Sequence, residues 1–504
     1  MKRLGLWDRL VSTILRWWNY LPINIYWLGL NVSSGSQTPY IMPILVALLV
    51  GDAMKNTALG GLRSAGLVVA ILVQAAAGLL SDRSTARWGR RRPFIVAGTL
   101  LDMVFLVLIG LAGLYWKSYW LLFAAVLLMQ VSSNIAHGAL QGLIPDLVPE
   151  DQRGRASGVK AMFELLPVIL VGFTIARFVE KNTWLAIFAV MAALFLGMLF
   201  TLPVREQPLR QKPETPLWPS LEDKSTGEKV AALAVTPLGR VVLLTAIFTA
   251  VTALFGGLIG VVGKALQGWG TIQLGGVALA GLVAMAGSII LGVWWSARVG
   301  IGEGAQKHPA FTWWVMNRLL FLASVGSIQG FALYYLKDVI HVPNAAAATG
   351  NLMIIVGIFT FLATLPSGVL ADRFGRKTLL AGSGVLAALG TILLIVSTNM
   401  TMVLISGILI GVATGTFFTT NWALGTDLVP PAEAGRYLGV SNLAGAGAGI
   451  VGAGLGGPMA DFFNAASPGL GYLVIFGLYA ALFLLSAVLL VKVPERWRPG
   501  QVAA

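Results

Sequence analysis

Apolar runs long enough to cross a bilayer recur at 22–50, 57–80, 93–115, 118–143, 157–179 and 183–203, and after a break at 239–263, 271–295, 312–336, 347–370, 378–396, 400–424, 437–460 and 470–493. A spanning helix takes about 20 apolar residues, so the pattern predicts fourteen spans in an all-α polytopic membrane protein. The break holds VREQPLRQKPETPLWPSLEDKSTGEK, rich in Pro and charge and without helical period, which reads as a linker over 204–238. Ahead of the first run, MKRLGLWDRLVSTILRWWNYLP interrupts its apolar residues with Asp8, Arg9 and Arg16. That segment, 1–21, reads as an amphipathic helix on the membrane surface, with Trp7, Trp17 and Trp18 at headgroup depth, rather than as a cleaved signal.

Composition agrees: of 504 residues 57% are hydrophobic and 11% charged, where a soluble domain carries about 25% charged residues. A water-soluble fold is excluded. With no Cys, disulfides, thiolate metal sites and cysteine nucleophiles are excluded as well. The net charge of +14 would point to nucleic acid in a soluble domain, but here its position decides. Lys and Arg gather in alternate loops, and the opposite loops hold only Lys55, Lys117, Lys181, Lys264 and Lys337. The asymmetry predicts a cell-membrane protein with both termini cytoplasmic, including the tail 494–504.

Two internal repeats set the architecture. Gly78-Leu79-Leu80-Ser81-Asp82-Arg83 leads into Trp88-Gly89-Arg90-Arg91, and Gly368-Val369-Leu370-Ala371-Asp372-Arg373 leads into Phe374-Gly375-Arg376-Lys377. Asp146-Leu147-Val148-Pro149 with Gly154-Arg155 matches Asp427-Leu428-Val429-Pro430 with Gly435-Arg436 at an offset of 281. The repeats define two six-helix halves, 22–203 and 312–493, in one orientation. The two helices within 239–311 are left over; they preserve parity and are expected to be peripheral to transport.

The motif G-x-L-[SA]-D-R-x-G-R-[RK] after the second helix of each half resembles the signature loop of the major facilitator superfamily, over nearly the whole chain. The resemblance implies a transporter in which Gly78, Asp82, Arg83, Gly89 and Arg90, with Gly368, Asp372, Arg373, Gly375 and Arg376, gate the conformational cycle and steady the outward-facing state. Either aspartate can offer its carboxylate to a helix N-terminus; plain topogenic charge is the alternative. The longer first copy, SDRSTARWGRRRPFI at 81–95, is similar to the loop of sucrose/proton symporters and the related glycoside, pentoside and hexuronide cation symporters. WLGLNVSSGSQTPYIMP and NRLLFLASVGSIQGFALYYLKDV also resemble that group. The acids that melibiose-type sodium symporters carry in the second helix are absent from 57–80.

Ionisable groups at membrane depth are costly and mark pathways. Asp102 and Glu164 lie well inside spans, Lys160 is one turn before Glu164, and His137 can titrate near neutrality. These four form a candidate proton-coupling set, or else a static ion pair and packing residues. Amide, hydroxyl, cationic and aromatic side chains suited to a sugar form a candidate binding set of Asn31, Ser34, Gln37, Gln74, Asn134, Arg318, Gln329, Tyr334 and Trp422, or else interhelical glue. Neither a P-loop nor a hydrolase or zinc-protease motif occurs. The expectation is a proton-coupled transporter of a sugar or glycoside, not an enzyme. Its partners would be the solute, protons and the lipid bilayer, with no nucleic acid and no cofactor. A pigment-delivery or assembly protein of the same fold, and a drug or metabolite exporter, remain open.

Overall fold

The computed structural model describes residues 17–204, 206, 218–220, 225–302, 305, 309–429 and 434–494. Most of the expected surface helix and tail therefore lies outside the described residues. Long helices account for nearly all the rest. α1 runs over Tyr20–Ser36, through a π turn at Gln37–Ile41, and on through Met42–Val50. Pro39 and Pro43 have no N–H to give, and the ladder widens where they sit. Then follow α2 (Lys55–Asp82), α3 (Arg92–Gly110), α4 (Tyr119–Leu140), α5 (Arg153–Phe173) and α6 (Thr183–Thr201). The extra pair is α7 (Pro237–Ala265) and α8 (Thr271–Ile301). The second half comprises α9 (Pro309–Asp338), α10 (Ala345–Phe374), α11 (Arg376–Ile395), α12 (Met400–Leu428), α13 (Ala434–Ala466) and α14 (Leu470–Leu489).

Twelve of these are long and apolar enough to cross a membrane. The other two are α1, broken by its π turn and polar residues, and the glycine-rich α13. The linker differs from expectation, since Thr226–Val235 is a helix started by a Ser225–Glu228 capping box, and α7 opens at Pro237. Short loops join helices at both ends. The end with loops 83–91, 148–152 and 374–375 is called the basic end, and the end with loops 51–54, 179–182, 339–344 and 467–469 the far end. At the far end Asn182, Asn344 and Asn399 cap α6, α10 and α12, each accepting a backbone N–H with its side chain.

The sequence repeat is a packing repeat. α1 packs on α5 and α6, α2 on α4, and α3 on α4 and α6; α9 packs on α13 and α14, α10 on α12, and α11 on α12 and α14. The halves meet along two equivalent seams, α2 with α13 and α5 with α10. Glycines bring the backbones together: a Cβ on Gly60 would lie 2.3 Å from the Ala453 carbonyl oxygen. The extra helices pack on the second half, α8 against α9, α13 and α14, and they are not remote from the seam. α7 touches both α2 and α13, and its Val241 packs with Ile71 and Ile450 from the two sides.

Both seams are shut at the far end, where 56–67 meets 449–461 and 168–180 meets 346–357. Toward the basic end the second seam parts. Met162 of α5 and Phe361, Leu362, Leu365 and Val369 of α10 are exposed, beside an apolar cavity of about 630 Å³ lined by Tyr20, Val159, Phe163 and Ile358 among others.

Candidate transport cavity and its gates

One wall of the candidate site is built from α1, α4 and α5. Lys160 and Glu164, one turn apart, pair at 3.0 Å, and both stay about one-third exposed, at 31% and 36%. The Lys160 ammonium sits 4.2 Å from the centre of the Trp27 ring, and His137 meets the same ring edge-on at 5.2 Å. Three of the four expected coupling residues thus converge on an aromatic platform that sequence reasoning passed over. The fourth does not join them in its contacts. Asp102 is buried between α3 and α4, accepts a hydrogen bond from Ser132, and has its second oxygen enclosed without a partner. The one-dimensional reading measured its depth correctly but not the direction it faces.

The expected polar set divides by environment. Asn31 donates to the Trp27 carbonyl at 2.8 Å, Ser34 is exposed, and Gln37 is buried and donates to Ser33 at 2.6 Å. Asn134 is buried and bonded to Gln130 one turn away. Gln329 is half-buried on α9. Gln74 lines a separate cavity of about 890 Å³ at the basic end with Gly78, Asp82, Arg91, Gln141 and Pro237. On the second half, Arg318 lies 4.9 Å from the ring of Trp422 and 5.7 Å from that of Trp314.

Tyr334 is used differently from what was expected. Fully buried, it donates its hydroxyl to the Pro43 carbonyl at 2.7 Å, from one half to the other. It belongs to a far-end gate whose centre is Lys55, a residue read from sequence only as a loop lysine. Lys55 is 2% exposed and pairs across the halves with Asp338 at 2.6 Å and within its own half with Asp52 at 2.8 Å. The Lys55 hydrogen bond and charge hold the exposed Asp52 carboxyl below its ordinary value. Tyr472 donates to Asp338 at 2.6 Å, and Asn56 donates to Tyr472 at 3.3 Å.

Beside this network each seam carries a carboxylate on the helix N-terminus opposite. Asp461 of α13 accepts from the backbone of Asn56 and Thr57 at 3.3 and 2.6 Å and from the Asn56 side chain at 2.8 Å. Glu180, following α5, accepts from the backbone of Ala346 at 2.7 Å, and nearby Arg177 donates to Asn351 at 2.6 Å. Glu180 and Asp461 are 281 residues apart, the repeat offset, so the two caps are one device used twice. Anions at helix N-termini are favoured by the free N–H groups and the helix dipole.

The family model described as Major Facilitator Superfamily matches residues 27–339 and 318–504. The chain belongs to the Major Facilitator Superfamily. The General alpha-glucoside permease of Schizosaccharomyces pombe is 29% identical over 201 residues, which cover 36% of this chain and 34% of that protein. Sucrose transport protein SUT1 of Oryza sativa subsp. japonica is 31% identical over 114 residues, 19% of this chain and 21% of the relative. These alignments thus span about a third of the relatives' lengths or less. The crystal structure of a D-xylose-proton symporter superposes with a TM-score of 0.62 at 16% identity, covering 95% of this chain and 98% of that one.

The superfamily's signature loops lie at the basic end and are held within each half. Asp82 pairs with Arg91. Arg91 also reaches Asp146 at 2.9 Å and Ser81 at 2.6 Å, and Arg90 bonds Asp146 at 3.0 Å. Arg83 caps the end of α2, and Gly89, at φ +120°, turns the loop toward Glu206, which accepts from the backbone of Arg91 and Arg92. In the second copy Gly375, at φ +93°, ends α10, and Arg376 pairs with Asp427, the repeat equivalent of Asp146. Gly368 lies in the last turns of α10, and Asp372 and Arg373 are exposed near its end. The sequence repeats contained Asp146 and Asp427 without revealing them as partners of the arginines. At the opposite end Asp461 and Glu180 cap helix starts of the other half.

Proposed function

We propose that this membrane transporter carries a small polar solute, a sugar or glycoside, coupled to protons by alternating access. The observation that carries the reading is the Trp27, His137, Lys160 and Glu164 cluster on one half, with Arg318, Trp314 and Trp422 on the other. Indole faces suit sugar rings, and the amides of Asn31 and Gln329 suit hydroxyl groups. The named specificities of the alpha-glucoside permease and the sucrose transport protein support the substrate class. Asn31, Ser34, Gln37, Gln74, Asn134 and Gln329 remain the candidate hydroxyl-binding residues.

Glu164 is the proton carrier in this reading. Ionised, it pairs with Lys160; protonated, it releases the ammonium to the Trp27 face and to the cavity. His137, on the same ring, tunes the pH at which this occurs. Asp102 serves the packing of α3 on α4. The basic loops lie in the cytoplasm, so the far-end-closed state faces inward and the protein resides in the cell membrane. Purified protein in liposomes should accumulate a radiolabelled glucoside or disaccharide when the lumen is alkaline relative to the bath. Equal uptake with and without the proton gradient would reject coupling.

A further inference from the structure

The extra helices border a cavity that the transport reading does not use. It holds about 750 Å³ between α7, α8 and α13 at the far end, separate from the two cavities at the basic end. Its floor is apolar and buried, with Val277 of α8 and Leu455 and Met459 of α13. Its α7 wall is Gly256, Gly260 and Gly263. Small residues on a spanning helix ordinarily admit a close neighbour. Here a Cβ on Gly260 would meet nothing within 4 Å, and one on Gly263 only Val277 at 3.7 Å. The wall therefore holds space open rather than bringing helices together, and an apolar space left empty forfeits dispersion contacts along its whole lining.

The mouth of the cavity is polar. Lys264 and Gln267 are exposed there, while Gln273 donates to the Gly263 carbonyl at 2.8 Å. Trp269, 61% exposed, stands in the adjoining loop and is the residue type that marks headgroup depth. From Lys264 down to Gly256 the wall descends about 12 Å at 1.5 Å per residue, close to the ~15 Å that one leaflet contributes to the hydrocarbon core. Charge decides the headgroup. Neither α7, α8 nor the loop between them has an acid. The far-end acids Asp52 and Asp338 are taken by Lys55, Asp461 by the start of α2, and Glu180 by the start of α10. We propose that this cavity seats one anionic phospholipid from the leaflet at the far end. Its phosphate meets Lys264 and Gln267, and an acyl chain runs along the glycine wall over Val277, Leu455 and Met459. A zwitterionic headgroup carries its own cation to Lys264 and loses the preference. The lipid packs against the α13 segment whose Gly454 and Gly457 adjoin Ser64 and Asn56 of α2, and the site is independent of the solute.

Photo-crosslinking of the full chain in nanodiscs tests this, with phosphatidylglycerol and phosphatidylcholine bearing the same diazirine acyl chain. Phosphatidylglycerol should label 256–263 and 454–462 about fivefold more than phosphatidylcholine, the increment of one lysine beside an anionic headgroup. Lys264→Gln should bring the two lipids level in those segments. Gly260→Leu places its side chain in open space and favours the helix, so it should fold and exclude both lipids from these segments while labelling elsewhere holds. Equal labelling by the two lipids in the parent, a preference that survives in Lys264→Gln, or undiminished labelling in Gly260→Leu would overturn the site. A dimer that Gly260→Leu disrupts, with neither segment crosslinked to lipid, would give the cavity to a second copy and overturn the proposal as well.

Discussion

The two seams between the halves are built on one plan and finished differently. Each has a carboxylate from one half on a helix N-terminus of the other, at repeat-equivalent positions. On the α2–α13 seam the cap, Asp461, is half-buried, takes three hydrogen bonds, and adjoins the buried Lys55–Asp338–Tyr472 network. On the α5–α10 seam the cap, Glu180, is exposed and takes one. Exposed charges are weakened by solvent and salt, while enclosed ones are not. The first seam is also covered by α7, whereas the second opens toward the basic end into an apolar cavity. The difference divides the labour: α2–α13 is the braced side, and α5, which carries Lys160 and Glu164, is the side that yields.

The sharpest break in this comparison comes at Glu164. Glu164→Gln keeps the shape of the yielding side and removes its proton, so gradient-driven accumulation should vanish while substrate exchange, which needs no net proton movement, persists. His137→Gln should only shift the pH dependence of uptake. Accumulation at the parent level in Glu164→Gln would make the Lys160 pair structural.

Next in size is Asp461→Ala. It removes three bonds, each to a charged acceptor, so a net shift of at least about 1.4 kcal/mol, or tenfold, toward far-end opening is expected. The chain has no native cysteine, so a single cysteine at the buried Ala176 or at Ser64, labelled with an impermeant maleimide from the far side, reports that opening. Glu180→Ala, losing one exposed bond, should raise the same labelling by only about threefold, or ~0.6 kcal/mol. Equal effects of the two alanines would erase the distinction between the seams.

The smallest effect is expected where α7 meets both halves. Val241→Ala trims the contact with Ile71 and Ile450 and should change transport rate by about twofold, in line with ~0.5 kcal/mol for a partial loss of packing. A larger effect would make α7 part of the moving seam rather than its cover, a role the repeat alone does not suggest.

Much of this was legible in one dimension. Hydropathy set the long helices, and the repeats anticipated two halves that pack by the same rule. Arg90, Arg376, Asp146 and Asp427 were visible as repeated residues, though not as partners. What escaped was anything depending on a partner without a side-chain signature. The acceptors Asp461 and Glu180 bind backbone N–H groups, which every helix start offers. Lys55 reads as a loop charge until Asp338 from the other half encloses it, and Trp27 as one more apolar residue until Lys160 and His137 meet its ring. Asp102 and Tyr334 lie against partners that position did not suggest for the converse reason: depth follows from position along a helix, but facing follows from the neighbour.

The unequal seams are tested most directly by hydrogen exchange at the two capped helix starts. Peptides covering 52–62 and 342–352 report the amides of Asn56 and Thr57, held by Asp461, and of Ala346, held by Glu180. Exchange at the α2 start should be at least about tenfold slower than at the α10 start after correction for intrinsic rates, and Asp461→Ala should abolish that lag. Equal corrected rates in the parent protein, as a far end opening as one rigid unit would give, would contradict the account.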